Sequence, residues 1–228
     1  MEVSDNLITN QNSITKLCVI STKNPNKILL ETITNVNKYY SDFDIVIIDS
    51  DSDNFETFKQ IPSYVKVEYI KNKNWELGAW YYAFNKYNTY DIYMFIQDSF
   101  TPIKLMKLDY DNIINSDYFY SVEGNTTLQN WGYPNNLKNI YNNTKLQFIS
   151  DMDGNSQITA AYHSSFITNL NITKKILELE EIYIDKKIKK TKSDCFFSER
   201  TIGILASKYS QNRVQMFDYF LKRNLHRD

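Results

Sequence analysis

Hydrophobic positions in the first hundred residues fall into two alternating kinds of segment. Short apolar runs rich in β-branched residues, "KLCVIST" at 16–22, "FDIVIID" at 43–49 and "DIYMFIQD" at 91–98, have the length of buried strands, and "VKVEYI" at 65–70 alternates faces as a strand does. Between them, Ile28, Leu29, Ile33, Val36 and Tyr40 recur at helical spacing, with Asn24 as the cap ahead of Pro25. "FETFKQI" predicts a short helix stopped by Pro62, and "WELGAWYYAFNKY" a second long one. Strands alternating with helices predict an α/β fold, a mainly parallel sheet flanked by helices, because parallel neighbours need a crossover.

The second half is less regular. "SDYFYSVEGNTTLQNWGYPNN" has the aromatic and amide content of an insert shaped around a ligand, and "GNSQITAAYHSSFI" is strand-like. "NITKKILELEEIY" predicts a helix, "IDKKIKKTKSD" a basic exposed connection, and "CFFSERTIGILASKY" and "VQMFDYFLKRNL" two closing helices. A length of 228 residues with 42% hydrophobic content suits one domain over 16–228 behind a flexible polar leader at 1–15. Its regular half runs over 16–104 and its less regular half over 105–228.

A net charge of -1 offers no field for nucleic acid, so an anionic ligand must be held by local groups. Cys18 and Cys195 have no metal-ligand spacing and are expected to be reduced. His163, alone, is expected to be structural. No stretch approaches the length of a spanning helix and the start lacks an export signal, so no membrane span and a cytoplasmic location are expected.

Ligands of parallel sheets sit at the carboxyl ends of the strands. Ser21 and Thr22, the "DSDSD" stretch from Asp49 to Asp53, and Gln97 with Asp98 all fall at such ends. A calcium loop starting at Asp49 fails, because its sixth and twelfth positions, Asn54 and Gln60, lack the required glycine and glutamate. Only five glycines exist, and neither G-x-G-x-x-G nor G-x-x-x-x-G-K-[ST] can be written. Strand-end Asp and Ser also cap turns for purely structural reasons. Trp75, Trp80, Tyr81 and Tyr82 suit helix packing as well as they suit sugar stacking.

The series "LCVIST", "IVIIDSDSDN", "VKVEYIKN", "NWELGAWYYAFN" and "DIYMFIQDS" resembles the nucleotide-binding half of GT-A glycosyltransferases of the family 2 type, with their "VVIPTYN", "IIVVDDGSTD", "N-x-G-x-x-x-A-x-N" and "ILFLDSDD". The resemblance covers about the first hundred residues and implies a GT-A-like (Rossmann-like) single domain, with a nucleotide-binding half at 16–104 and an acceptor-side half with closing helices at 105–228. By it the enzyme moves a sugar from a UDP, GDP or dTDP donor to a glycan, lipid-linked or protein acceptor. Ser21, Thr22, Asp49, Asp51, Gly78, Gln97 and Asp98 would line the nucleotide-sugar. The sequence has Gln97, Asp98, Ser99 where the family has D-x-D, leaving Asp98 as the one carboxylate for manganese or magnesium, with a diphosphate completing the shell. The lysines from 186 to 192 are an alternative source of positive charge.

"FFSERTIGILA" is similar to an S-E-R segment near the C-terminus of bacterial and viral polysaccharide glycosyltransferases, which would place a viral form in the host cytoplasm. Sugar transfer with inversion needs a carboxylate to take the acceptor's proton, and Glu199, then Asp194, are the candidates, with Arg200 for a phosphate or for orienting the base. Two other readings remain at this point. A nucleotidyltransferase would use the same kind of sheet, although "STKNPNK" lacks the glycine-rich first loop. A non-catalytic nucleotide- or sugar-binding protein would have kept the fold without turnover.

Overall fold

The computed structural model describes residues 13–72, 74–130, 139–186 and 192–223, the last stretch with side chains from residue 198 onward. Four parallel strands form half of a seven-stranded sheet. These are β1 (Lys16–Thr22), β2 (Asp44–Ser50), β3 (Lys66–Ile70) and β4 (Ile92–Gln97), linked by α1 (Lys27–Tyr39), a 3-10 turn (Thr57–Gln60) and α2 (Trp75–Lys86). Beyond them come β5 (Phe100–Pro102), α3 (Tyr110–Asn115), β6 (Tyr118–Thr127), α4 (Gln147–Ser150), β7 (Gln157–Asn169), α5 (Leu170–Asp185), α6 (Lys192–Tyr209), β8 (Asn212–Gln215) and β9 (Phe220–Lys222).

The sheet order is β3-β2-β1-β4-β7-β6-β8. β4 is the pivot, parallel to β1 on one side and antiparallel to β7 on the other. Its interior residues are fully buried, as a strand covered on both faces requires. The pleat sends Leu17, Val19, Val46, Ile48, Tyr93 and Phe95 into a core beneath α2, α5 and α6. Cys18, Ile20, Ile45, Ile47, Met94 and Ile96 enter a second core, beneath α1 and α3. Trp80 lies wholly in the first core, against Phe95 and Phe166, which makes it a packing residue, whereas Trp75 is exposed. Cys18 is a buried free thiol, and burial pushes its pKa well above the usual range.

Two sequence expectations are corrected. Asn24 does not cap α1: Asn26 does, accepting from the Ile28 N–H at 2.9 Å, while Asn24 adopts a left-handed φ of 49° and ties two loops together. The predicted closing helix over "VQMFDYFLKRNL" is absent among the described residues. Val214 pairs with Tyr120 in β8, and Phe220 to Lys222 form β9 against β5. An edge strand and the exposed end of β5 both needed partners, and the aromatic Phe220, stacked on Phe100 and Tyr40, seals that junction. The leader at 1–12, the lysines at 187–191, the stretch 131–138, and the side chains of Asp194 and Cys195 lie outside the described residues.

α6 packs directly on β7, and one glycine allows it. A Cβ on Gly203 would stand 1.8 Å from the carbonyl oxygen of Thr159, and backbone cannot swing aside as a side chain can. Gly203→Ala should therefore destabilise the fold by about 3 kcal/mol, read as a lower denaturation midpoint with an unchanged slope in urea. A midpoint equal to that of the parent would show that α6 can lift away from the sheet.

Candidate functional site

The strand ends anticipated from the sequence do lie together along one edge, but the pleat divides them between two faces. Thr22, Asp49 and Asp98 continue the face covered by α1. Ser21, Ser50 and Gln97 continue the face covered by α2 and α6.

On the α1 face the polar groups mostly bind one another. Asp49 is 1% exposed, and burial raises its pKa against the pull of the Ser52 hydrogen bonds. Its carboxylate accepts from the Ser52 N–H at 3.2 Å and from the Ser52 hydroxyl. That hydroxyl also accepts from the Asn24 N–H at 2.6 Å, and Asn24 Oδ1 accepts from the Asp53 N–H at 2.8 Å. The β1 and β2 loops are thereby stitched into one rim. Asp51 stands exposed on this rim in the left-handed region, φ 63°, at the place of the glycine in the family's "DDGS".

Asp98 is 4% exposed and accepts from the Thr22 hydroxyl at 2.5 Å. Its N–H donates to the Ser21 carbonyl, and its own carbonyl accepts from Thr32. Among the described residues no group of three His, Cys, Asp or Glu side chains is placed to hold a metal ion. One buried carboxylate, already bonded to Thr22, does not by itself fit a divalent cation. Gly78 has a local duty, since a Cβ there would meet Asn72 Oδ1 at 2.3 Å.

The other face carries a different set. Gln97 donates from Nε2 to Glu76 Oε1 at 3.1 Å and accepts, through Oε1, from Lys222. Lys222 also donates to the Ser99 hydroxyl at 2.7 Å. β9 places it there, because Lys222 lies opposite Phe100 in the β5 pairing, next to Ser99. Glu199, on α6, reaches the same place: it accepts from the His163 N–H and feels the charges of Arg200, Glu76 and Lys222. His163 itself sits in an irregular stretch of β7 with φ 60°, its ring against Phe100. Burial, then Lys222, pushes its pKa down to about 4, so the ring is neutral near pH 7. Arg200 is buried. The Ser21 hydroxyl, buried at the end of β1, has no hydrogen-bond partner among the described residues.

Burial is the largest influence on Glu199 and raises its pKa to about 7; Arg200 lowers it, Glu76 raises it, and His163 and Lys222 lower it. Of the residues placed together here, Glu199 and Gln97 were sequence candidates, and Glu76, Ser99 and Lys222 were not. For Lys222 no local signal was available: Phe217–Tyr219 form a 3-10 turn, and only Phe220–Lys222 make the strand, by pairing with β5.

With this geometry in view, residues 17–99, from β1 to just past β4, match the model for glycosyl transferase family 2. That match covers less than half of the chain, and the fold is GT-A-like. Core-mannan synthase A from Aspergillus fumigatus, in its Mn/GDP form, superposes on 93% of this chain and 75% of its own, with a TM-score of 0.55 and 9% identity. GalNAc-T7 with UDP, GalNAc and Mn2+ aligns over 49% of this chain at 16% identity and a TM-score of 0.40, and the chain spans 23% of that protein. No curated protein matches it at a significant level.

The raised Glu199 pKa has a consequence for stability. In the unfolded chain the carboxyl titrates near its ordinary 4.5, so as pH falls through 7 the native state takes up the proton first and is favoured. The parent should gain up to roughly 3 kcal/mol on going from about pH 8 to about pH 5 through this group, and Glu199→Gln should lack that part of the gain. Urea unfolding at both pH values tests this, and parallel behaviour of parent and variant would place Glu199 in water.

Proposed function

We propose that the protein transfers a sugar from a nucleoside-diphosphate donor to an acceptor hydroxyl, with the base and diphosphate chemistry gathered at the end of β4. The observation carrying this reading is that Lys222, bonded to Gln97 at the carboxyl edge of a family 2-like sheet, lies within the field of Glu199. The donor nucleotide would lie across the ends of β1 and β2, over the rim that Asn24, Asp49, Ser52 and Asp53 build, with the Ser21 hydroxyl offered to it. GDP in the mannan synthase supports a nucleoside diphosphate as the donor class for this fold.

In the reaction, the acceptor oxygen attacks the anomeric carbon and Glu199 takes its proton. The bond from that carbon to the diphosphate oxygen breaks, and the electron pair leaves with the nucleoside diphosphate. A carboxylate with a pKa near 7 is a stronger base than an exposed one and is still half ionised at neutral pH. Asp98, the carboxylate the family pattern offers for a metal, is bonded to Thr22, and no step here is routed through a divalent ion. Arg200 and Glu76 set the charge around Glu199.

Two measurements test the reading. Calorimetry with UDP, GDP and dTDP should show binding by at least one. Ser21→Ala, which removes an unpartnered buried hydroxyl, should weaken that binding about 3- to 10-fold without lowering the melting temperature. Glu199→Gln should keep donor affinity while transfer falls by about 10²-fold or more, and the acid limb of the parent's kcat/KM profile near pH 7 should vanish with it. Binding without turnover across a broad acceptor panel would favour a non-catalytic protein. Full transfer by the Glu199 variant would move the base elsewhere.

A further inference from the structure

Where D-x-D carboxylates would hold a cation, this chain has an amide and a hydroxyl, Gln97 and Ser99, and a cation of its own is bonded to both. Lys222 arrives from the far end of the sequence on β9. The partner strand fixes its position: Lys222 pairs with Phe100, the Arg223 N–H donates to the Ser99 carbonyl at 2.8 Å, and Phe220 stacks on Phe100 at 5.0 Å. Gln97 and Ser99 aim the ammonium. Neither D-x-D position supplies a carboxylate, Glu76 is bonded to Gln97, and an ammonium bonded to both positions repels a divalent ion brought there.

We propose that Lys222 binds the donor's diphosphate in place of a divalent metal ion, so that sugar transfer by this protein is metal-independent. As the bond between the anomeric carbon and the diphosphate oxygen breaks, the negative charge developing on that oxygen is met by an ammonium built into the fold and oriented beforehand. Asp98, buried against Thr22 and Thr32, then acts as a structural clamp on the β4 turn. The charge of Lys222 is felt by both Glu199 and His163, beside that of Arg200 on Glu199.

The proposal rests on the glycosyltransferase reading, and the test separates the two. Calorimetry with UDP, GDP and dTDP, and donor turnover with the matching nucleotide-sugars, are run in EDTA and again with manganese. Nucleoside diphosphate affinity and turnover in EDTA should be within about 2-fold of those in manganese. Lys222→Met should lose 10-fold or more in diphosphate affinity in EDTA, while Lys222→Arg keeps most of it. Turnover abolished by EDTA and restored by manganese in the parent would overturn the lysine's role and leave the glycosyltransferase reading intact. No nucleoside diphosphate bound under either condition would overturn that reading itself. If Lys222→Met does not fold, the parent in EDTA and the Lys222→Arg affinity still decide the matter.

Discussion

The end of β4 cannot be left bare. A strand buried on both faces delivers Gln97, Asp98 and Ser99 to the rim of the core, where each polar group needs a partner, and the partners come from distant parts of the chain. Thr22 and Thr32 take Asp98 on one face; Glu76 and Lys222 take Gln97 and Ser99 on the other. Satisfying this short segment ties β1, α1, α2 and β9 to one point. α6 is drawn to the same point by the contact of Gly203 with β7, and it carries Glu199 there.

The division between two faces gives the arrangement its chemistry. On the α1 face the acids are consumed in holding loops: Asp49 grips Ser52, Asn24 grips the next loop, and Asp98 fixes the turn. The opposite face keeps a carboxylate of raised pKa and an ammonium within each other's field. Under the proposed function, that carboxylate and that ammonium would serve as the base and the cation that group transfer from a diphosphate requires.

Much of the first half was legible in the sequence because its signals are local. "KLCVIST" and "DIYMFIQD" are unbroken apolar runs, and their strands appear within a residue of the expected limits. Glu199 was a candidate because "FFSERTIGILA" is similar to an S-E-R segment and because transfer with inversion needs a carboxylate. What could not be read depends on pairing across the fold. β9 is three residues long, and only its fit beside β5 makes it a strand. Lys222 was thus read on a helix facing nothing in particular. Asn24 before Pro25 looked like a cap, but the β2 loop offered its side chain stronger partners in the N–H groups of Asp53 and Asn54. The facing of Asp49 and Gln97 to opposite sides follows from the pleat alone, once the strand limits are known.

The most direct test of the central claim, that the end of β4 on the α2 and α6 face is where the donor's diphosphate rests, is a crystal structure of the protein with a bound nucleoside diphosphate, grown without divalent metal. The account predicts phosphate oxygens within hydrogen-bonding distance of Lys222 Nζ and the nucleoside across the ends of β1 and β2 beside Ser21. A diphosphate seated instead in the cleft lined by Asn125, Thr159, Ser207 and Arg213, with Lys222 untouched, would contradict it.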